Sequence, residues 1–159
     1  MDTDRPHERY RSAPNNSFGV TYRDACDEAL RRGDRKVGTE HLFLALLMDP
    51  ECLEAVQHSL DDARAALEAL DQADLLAVGI DARACQAPPL HGLGSHRLPL
   101  TPAAKDALKQ STREAGSRHF GPRHLLLALL RHEEPDGVAC LLGRLEADRA
   151  GVRARLQGA

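Results

Sequence analysis

Apolar residues recur every three or four positions along most of this chain, which is the spacing of an amphipathic helix. In the first half, one such stripe consists of Phe18, Tyr22, Ala25 and Ala29 and stops before Gly33. A similar stripe in the second half consists of Ala104, Leu108, Ser111 and Ala115. Further helical patterns cover residues 39–48, 51–59, 61–78, 122–131, 136–144 and 147–156. The pattern therefore predicts eight helices, four in each half of the chain.

Both halves also contain the same Leu-rich segment. Residues 38–47 read GTEHLFLALL and residues 121–130 read GPRHLLLALL, so seven of ten positions are identical. Four short helices leave an apolar face uncovered, so we expect an all-α fold of two four-helix repeats, related by a pseudo-twofold axis and packed into one globular domain. The predicted organisation is a flexible tail at 1–14 and a double domain at 15–157, with repeat 1 at about 15–78, a linker at about 79–100, and repeat 2 at about 101–157.

The helix starts differ between the two copies. Thr39 is placed to cap its helix with the hydroxyl, and Glu40 lies in the first turn, where the helix dipole favours a carboxylate. In the second copy, Pro122 suits the first helical position, but Arg123 puts a positive charge at the positive end of the dipole, which costs up to ~1 kcal/mol. Other predicted capping residues are Asn15 or Asn16, Asp61, Thr101 followed by Pro102, Asp136 and Asp148.

Composition adds information mainly through charge. Aromatic residues are only 3% of the chain and Trp is absent, which argues against base-stacking, sugar-stacking and membrane-interface sites. The net charge of −3 averages two unlike segments. Residues 40–81 hold ten acidic residues against Arg64 alone, a net of −9, whereas residues 101–131 hold six basic and two acidic residues, a net of +4. These segments are either solvated faces or the two poles of a protein that docks in one orientation.

No metal or redox motif is evident. The four cysteines, which form no C-x-x-C pair, are Cys26, Cys52, Cys85 and Cys140. We expect them to be small buried hydrophobes in a reducing compartment. His41 and His124 occupy the same offset in the two copies and are expected to be structural. A trio of Cys85, His91 and His96 lacks the fourth ligand of a zinc site, so neither a metal nor a cofactor is predicted.

Catalytic and membrane signatures are also missing from the sequence. There is no G-x-S-x-G motif and no readable Ser/His/Asp order, so no enzymatic activity is predicted. No apolar run approaches the ~20 residues of a membrane span, and the first residues have no apolar core of a signal peptide. We expect a cytoplasmic protein.

Residues 28–47, which read EALRRGDRKVGTEHLFLALL, resemble the Clp N-terminal repeat domain found at the front of Clp-type AAA+ unfoldases. The second half resembles it as well, through LTPAAKDAL at 100–108, GPRHLLLALL at 121–130 and GVACLL at 137–142. The fold of this family, a pseudo-twofold pair of four-helix repeats, agrees with the pattern above. Because the chain has no G-x-x-x-x-G-K-[ST] loop, we expect a free-standing member without the AAA+ ATPase modules.

The resemblance implies a set of binding residues. Several bacterial members recognise phosphorylated arginine, with the acidic residue of each G-T-E-H motif on the guanidinium and a hydroxyl residue at the preceding helix start on the phosphate. Glu40 matches the first acidic position, and Asn15 falls at the hydroxyl position of that half. In the second half Thr101 keeps the hydroxyl, but Arg123 replaces the acid and would repel a guanidinium.

A second implied site lies beside the L-T-P-x-x-K segment, where cyclic-peptide inhibitors of the unfoldase bind in the family. Leu100, Thr101 and Lys105 match that segment.

The expected function is that of a non-enzymatic protein-binding module. Its expected partners are Clp ATPase or protease components, or their substrates, including arginine-phosphorylated proteins. It would modulate Clp-dependent proteolysis as an adaptor, an accessory subunit or a decoy. One alternative is a protein that sequesters peptide antibiotics directed at the unfoldase. The other is a nucleic-acid-binding regulator that uses the basic residues of 101–131, which the acidic half of the chain disfavours.

Overall fold

The computed structural model describes residues 17–81, 97–116 and 120–158, and the ordered elements in these ranges are helices. They are α1 (Ser17–Arg32), α2 (Thr39–Leu46), α3 (Pro50–Val56), α4 (Leu60–Ala77), α5 (Pro102–Ala115), α6 (Pro122–Leu129), α7 (Gly137–Arg144) and α8 (Arg149–Gly158). The predicted all-α architecture, with four helices in each repeat, is confirmed. The predicted tail at 1–14, Asn15, and the trio of Cys85, His91 and His96 lie outside the described residues.

The two Leu-rich helices form the centre of the molecule. Every residue of α2 is buried except Glu40, and α6 buries Leu125, Leu126, Ala128 and Leu129. Helix α1 packs on α2 as α5 packs on α6. The fourth helix of each repeat packs on the third helix of the other, α4 on α7 and α8 on α3. This exchange joins the buried residues of both repeats into one hydrophobic cluster.

A short backbone bridge also connects the repeats. Val37, which precedes α2, pairs in parallel with Leu100, which precedes α5. The Val37 amide donates to the carbonyl of Pro99 at 2.9 Å, and the Thr101 amide donates to the carbonyl of Val37 at 2.9 Å. The starts of α2 and α5 are therefore held side by side, although they belong to different repeats.

The helix caps confirm some predictions and correct others. Thr101 caps α5 by accepting a hydrogen bond from the Ala104 amide at 3.2 Å, and Asp136 caps α7. The prediction of Asp61 as the cap of α4 is wrong, because Ser59 accepts from the Asp62 amide and the helix begins at Leu60. Helix α3 ends at Val56, three residues before the predicted end, because the next residue, Gln57, has the left-handed φ of 61°.

Three of the four cysteines lie in the described residues. Cys26 and Cys52 are buried, as expected, whereas Cys140 is only partly buried and Cys85 lies outside the described residues. Burial raises the pKa of the Cys52 thiol. Within the described ranges, no three His, Cys, Asp or Glu side chains are grouped as metal ligands would be. None of the helices described combines the length and the apolar character needed to cross a membrane.

Candidate binding site

The repeated glycine and histidine form the same helix cap in both repeats. At α2 the amide of Gly38 donates to His41 Nδ1 at 2.9 Å, and at α6 the amide of Gly121 donates to His124 Nδ1 at 3.1 Å. Each histidine thereby satisfies a backbone donor that has no partner within the helix. Since Nδ1 of His41 accepts, its proton is on Nε2, which donates to Asp34 at 2.9 Å. The structural role predicted for both histidines follows from this geometry.

Asp34 holds this cap in place from the end of α1. The hydrogen bond from His41, followed by the contact with Arg32, lowers the pKa of Asp34 despite its partial burial. Arg32 in turn bonds to Asp34 at 3.0 Å and to Asp71 of α4 at 2.7 Å. The entry into α2 is therefore fixed by polar contacts on the side of repeat 1.

On the other side, the start of α2 is tied to the start of α7. The Thr39 hydroxyl donates to Asp136 Oδ1 at 2.6 Å and accepts from the Val138 amide at 3.2 Å. The prediction that Thr39 caps its own helix is wrong, because Gly38 is the N-cap of α2 and the buried hydroxyl instead helps to cap α7. Thr39 is thus a link between the two repeats.

Glu40 lies at this junction of α2 and α7. Its carboxylate occupies the space next to two glycines, since a Cβ would lie 2.3 Å from Glu40 Oε1 at Gly38 and 2.3 Å from Glu40 Oε2 at Gly137. The side chain remains 23% exposed. Among the described residues, the basic group within ion-pair distance of it is His41 Nδ1 at 3.5 Å, and that nitrogen accepts the hydrogen bond of the Gly38 amide. The carboxylate therefore lies at a partly open surface.

The equivalent junction in the other repeat, between α6 and α3, has the opposite character. Arg123 occupies the position of Glu40, and its Nη2 lies 2.6 Å from Glu51 Oε1. Pro50 begins α3 where Gly137 begins α7. The cost expected for Arg123 at the positive end of α6 is offset by this ion pair, which the sequence analysis did not anticipate. An ion pair within the chain thus fills the second junction.

The other predicted site residues lie around the start of α5. Leu100 packs against the core, Thr101 caps the helix, and Lys105 is exposed one turn further on. The bridge to Val37 places Leu100 and Thr101 beside the segment that enters α2. Glu40 follows Val37 by three residues in that segment. Asn15, the remaining predicted residue, lies outside the described residues. Cyclic-peptide binding at this segment and nucleic-acid binding both stay predictions.

Three contributors to these junctions were missed in the sequence. Glu51 is the ion-pair partner of Arg123, Gly137 leaves room for the Glu40 carboxylate, and Asp136 bonds to Thr39 besides capping its own helix. Asp136 was predicted near the start of a helix, but neither it nor Gly137 was expected to contact α2. No sequence signal identified them, because each contact depends on the packing of the third helix of one repeat against the second helix of the other.

Comparison with known proteins identifies the family of this chain. A family model for the Clp repeat (R) N-terminal domain matches residues 16–119. The chain belongs to this Clp repeat family. The match contains all of repeat 1 and helix α5. It ends shortly before the second copy of the repeated segment at 121–130.

Relatives of this Clp repeat chain include much longer proteins. The chloroplastic ClpA homolog of Brassica napus, an ATP-binding subunit of the ATP-dependent Clp protease, is 33% identical over 141 residues, which are 83% of this chain and 14% of the relative. The chloroplastic chaperone protein ClpC1 of Arabidopsis thaliana is also 33% identical over 141 residues, which are 83% of this chain and 13% of the relative. The chain thus spans a small fraction of the length of these relatives.

The fold has a counterpart among solved structures. The N-terminal domain of the caseinolytic protease associated chaperone ClpD from Arabidopsis thaliana superposes with a TM-score of 0.65 and 18% sequence identity. The superposition covers 99% of this chain and 97% of that one. Both repeats therefore have the Clp N-terminal fold, and the chain is similar to the docking domains of Clp unfoldases, which is consistent with a protein-binding role.

Proposed function

We propose that this chain is a non-enzymatic docking module for Clp substrates or adaptors, and that Glu40 receives the guanidinium of a phosphorylated arginine on them. The observation that carries the proposal is the Glu40 carboxylate, which is partly exposed at a junction that is otherwise fixed by hydrogen bonds. A carboxylate is the acceptor that matches the donor geometry of a guanidinium. The site therefore combines preorganisation with the charge that this ligand requires.

The phosphate portion of the ligand requires a second kind of contact. Thr101 and the exposed Lys105 lie at the start of α5, which the backbone bridge holds beside the entry to α2. A hydroxyl, an ammonium group and the amides of a helix start are all groups that bind phosphate. We propose that they receive the phosphate while Glu40 receives the guanidinium.

A single site per chain follows from the difference between the two junctions. At the second junction Arg123 would repel a guanidinium, and Glu51 is already engaged by Arg123. We therefore expect one phosphoarginine to bind per chain, at the junction of α2 and α7.

The proposal is tested by calorimetric titration of free phosphoarginine into the intact chain. We expect one-to-one binding, with Glu40→Gln lowering the affinity by about 10–100-fold, because a charge-assisted hydrogen bond contributes about 1.5–3 kcal/mol. Glu54→Gln, an exposed carboxylate on α3, is the matched control and should bind as the wild type does. Equal affinity of wild type and Glu40→Gln, or no binding by the wild type, would remove Glu40 from the site.

The role in proteolysis is tested with whole proteins. We propose that the module presents substrates to a Clp machine, or competes for them, as an adaptor, accessory subunit or decoy. Capture from a cell extract with a trapped Clp unfoldase should recover Clp components or their substrates with the wild type and less of them with Glu40→Gln. Recovery of neither would contradict the docking function.

Gly137→Ala separates binding from stability at the same junction. The new Cβ would lie 2.3 Å from Glu40 Oε2, so the carboxylate must move, which its flexible side chain allows. Alanine is favoured over glycine within a helix, so we expect the free energy of unfolding to change by less than about 1 kcal/mol. Phosphoarginine affinity should nevertheless fall about tenfold in the same titration, because the acceptor is displaced.

Gly143→Ala is the matched control for that variant. It lies in the same helix, and its added Cβ would meet Glu134 Oε1 at 3.5 Å, an ordinary contact distance. We expect wild-type affinity from Gly143→Ala. If Gly137→Ala also retained it, the position of the Glu40 carboxylate would not matter for binding.

A further inference from the structure

The buried hydroxyl of Thr39 has three polar neighbours at the junction of α2 and α7. Its oxygen lies 2.6 Å from Asp136 Oδ1, 3.2 Å from the amide nitrogen of Val138 and 3.4 Å from Glu40 Oε2. Thr39 is 1% exposed, so these neighbours rather than bulk water satisfy the hydroxyl. Because a hydroxyl group has one proton, it can donate to only one of the two carboxylates.

The distances assign that proton to Asp136. A separation of 2.6 Å is that of a short hydrogen bond from a hydroxyl to a carboxylate, whereas the 3.4 Å to Glu40 Oε2 exceeds the usual range for two oxygens. The Val138 amide donates to the same hydroxyl oxygen and helps to fix its orientation. The proton of the hydroxyl therefore points away from Glu40.

The Asp136 carboxylate is itself held in position. Its Oδ1 also accepts from the Val138 amide at 3.1 Å, and its Oδ2 lies 3.3 Å from Nδ1 of His132. The backbone carbonyl of His132 in turn accepts from Arg149 of α8 at 2.7 Å. Asp136 is thus fixed through both of its carboxylate oxygens before any ligand binds.

Glu40 is left without a strong hydrogen-bond donor. Its Oε2 faces a hydroxyl whose proton is directed elsewhere, and its Oε1 lies 3.5 Å from His41 Nδ1, which accepts from the Gly38 amide. Among the described residues, no other hydrogen bond or ion pair of this carboxylate is found. Both oxygens are therefore available to the two parallel N–H donors of a guanidinium.

The second junction lacks this arrangement. Asp49 caps α3 there as an aspartate also caps α7, but the hydroxyl is missing because Pro122 begins α6. Arg123 takes the place of the acidic acceptor and is paired within the chain. The hydroxyl and the acceptor are thus absent together, which is the pattern expected if they act as one unit.

We propose that Asp136 is a positioning residue for the ligand site at Glu40. By taking the proton of Thr39, it keeps that hydroxyl from donating to Glu40 Oε2, so that an incoming guanidinium meets an unoccupied acceptor. This proposal rests on the proposed function, and it adds to the site a residue that acts without touching the ligand. Its distinctive consequence is that Asp136 affects binding only through Thr39.

The test compares phosphoarginine affinities, measured by calorimetric titration, among variants of the intact chain. In Asp136→Ala the Thr39 hydroxyl is free to turn to Glu40, and that hydrogen bond must break before the ligand binds. We expect an affinity about 3–10-fold lower, which is the effect of one net hydrogen bond. Asp136→Asn, whose side-chain oxygen still accepts from the hydroxyl, should restore most of the affinity.

Two further comparisons separate positioning from stability. In a Thr39→Val background, which has no hydroxyl, Asp136→Ala should cause no further loss of affinity. Asp49→Ala is the matched control, because it removes the equivalent cap of α3. It should lower the melting temperature as Asp136→Ala does, through the loss of a helix cap, but bind phosphoarginine as the wild type does.

A measurement without ligand distinguishes this proposal from the proposed function. The three-bond coupling between the hydroxyl proton and Hβ of Thr39, measured by NMR, reports the direction of the proton. We expect the coupling to change in Asp136→Ala but not in Asp49→Ala. If the wild type bound no phosphoarginine, the proposed function would fail, and the coupling would still decide whether Asp136 directs the hydroxyl.

Three results would overturn the proposal. They are an affinity of Asp136→Ala equal to that of the wild type, the same loss of affinity from Asp136→Ala with and without Thr39→Val, and a Thr39 coupling that Asp136→Ala leaves unchanged. A loss of affinity in Asp136→Asn as large as in Asp136→Ala would also contradict it, because the charge of Asp136 rather than the direction of the hydroxyl would then matter.

Discussion

Replacing Phe43 with alanine is expected to lower the free energy of unfolding by about 3–5 kcal/mol. Phe43 is fully buried in α2, the helix that contacts α6 and α7 as well as its own repeat. Truncation leaves a cavity where both repeats meet, and neither repeat can close it without moving the other. Urea unfolding followed by circular dichroism measures the loss, and we expect one transition because the buried residues form one cluster.

The pseudo-symmetry supplies a matched control. Leu126 occupies the position of Phe43 in the second repeat and is equally buried. Phe43→Leu should therefore cost only about 1–1.5 kcal/mol, since leucine is the residue that the same fold already accommodates there. Leu53→Ala, at a residue that is 40% exposed, should cost less than about 1 kcal/mol. A Phe43→Ala protein as stable as Leu53→Ala would show that α2 is not the centre of a shared core.

Periodicity predicted the eight helices because it reports which face of a segment is apolar. It could not predict that α4 packs on α7 and α8 on α3, because an apolar face does not specify the helix that covers it. The helix caps also show that the sequence predicts contacts between near neighbours in the chain better than contacts between distant residues. The cap formed by Thr101 was predicted, since its hydroxyl accepts from the Ala104 amide only three residues further along the chain. Thr39 was assigned to the wrong helix, since its partners Asp136 and Val138 are almost a hundred residues away.

The candidate site was predictable where a motif carried it. Glu40 was found through the repeated G-x-x-H segment. Comparison of the two copies of that segment also showed that Arg123 stands where the first copy has an acidic residue. The ion pair of Arg123 with Glu51 could not be predicted, because it depends on the packing of α6 against α3. The exposure of Leu76, Val78 and Ile80 at the end of α4 could not be predicted from the pattern either. An apolar residue in a helical pattern is normally assigned to the core, and only the structure shows that these side chains are exposed.

Replacing Glu28 with glutamine is expected to lower the free energy of unfolding by about 2 kcal/mol at neutral pH. Glu28 is buried in α1 and bonds to Arg64 of α4 and to Arg31, whose Nη2 lies 3.1 Å away. Loss of one partner of a buried pair costs about 3–5 kcal/mol. Here we expect less, because the side chains of Arg31 and Arg64 are 49% and 30% exposed and remain hydrated.

The same variant should remove a pH dependence of stability. Burial raises the pKa of Glu28, but the hydrogen bonds and charges of Arg64 and Arg31 outweigh it, so the pKa lies below its ordinary value of 4.5. A depressed pKa in the folded state stabilises the protein above the ordinary value, and this contribution is lost as the pH falls through the folded-state pKa. Urea unfolding of wild type and Glu28→Gln should therefore differ most at pH values above about 5 and converge in acid. Glu68→Gln, at an exposed carboxylate of α4, controls for the loss of a charge alone and should follow the wild-type curve. A wild-type advantage over Glu28→Gln that stayed constant down to acid pH would mean that packing, rather than the charge of Glu28, joins α1 to α4.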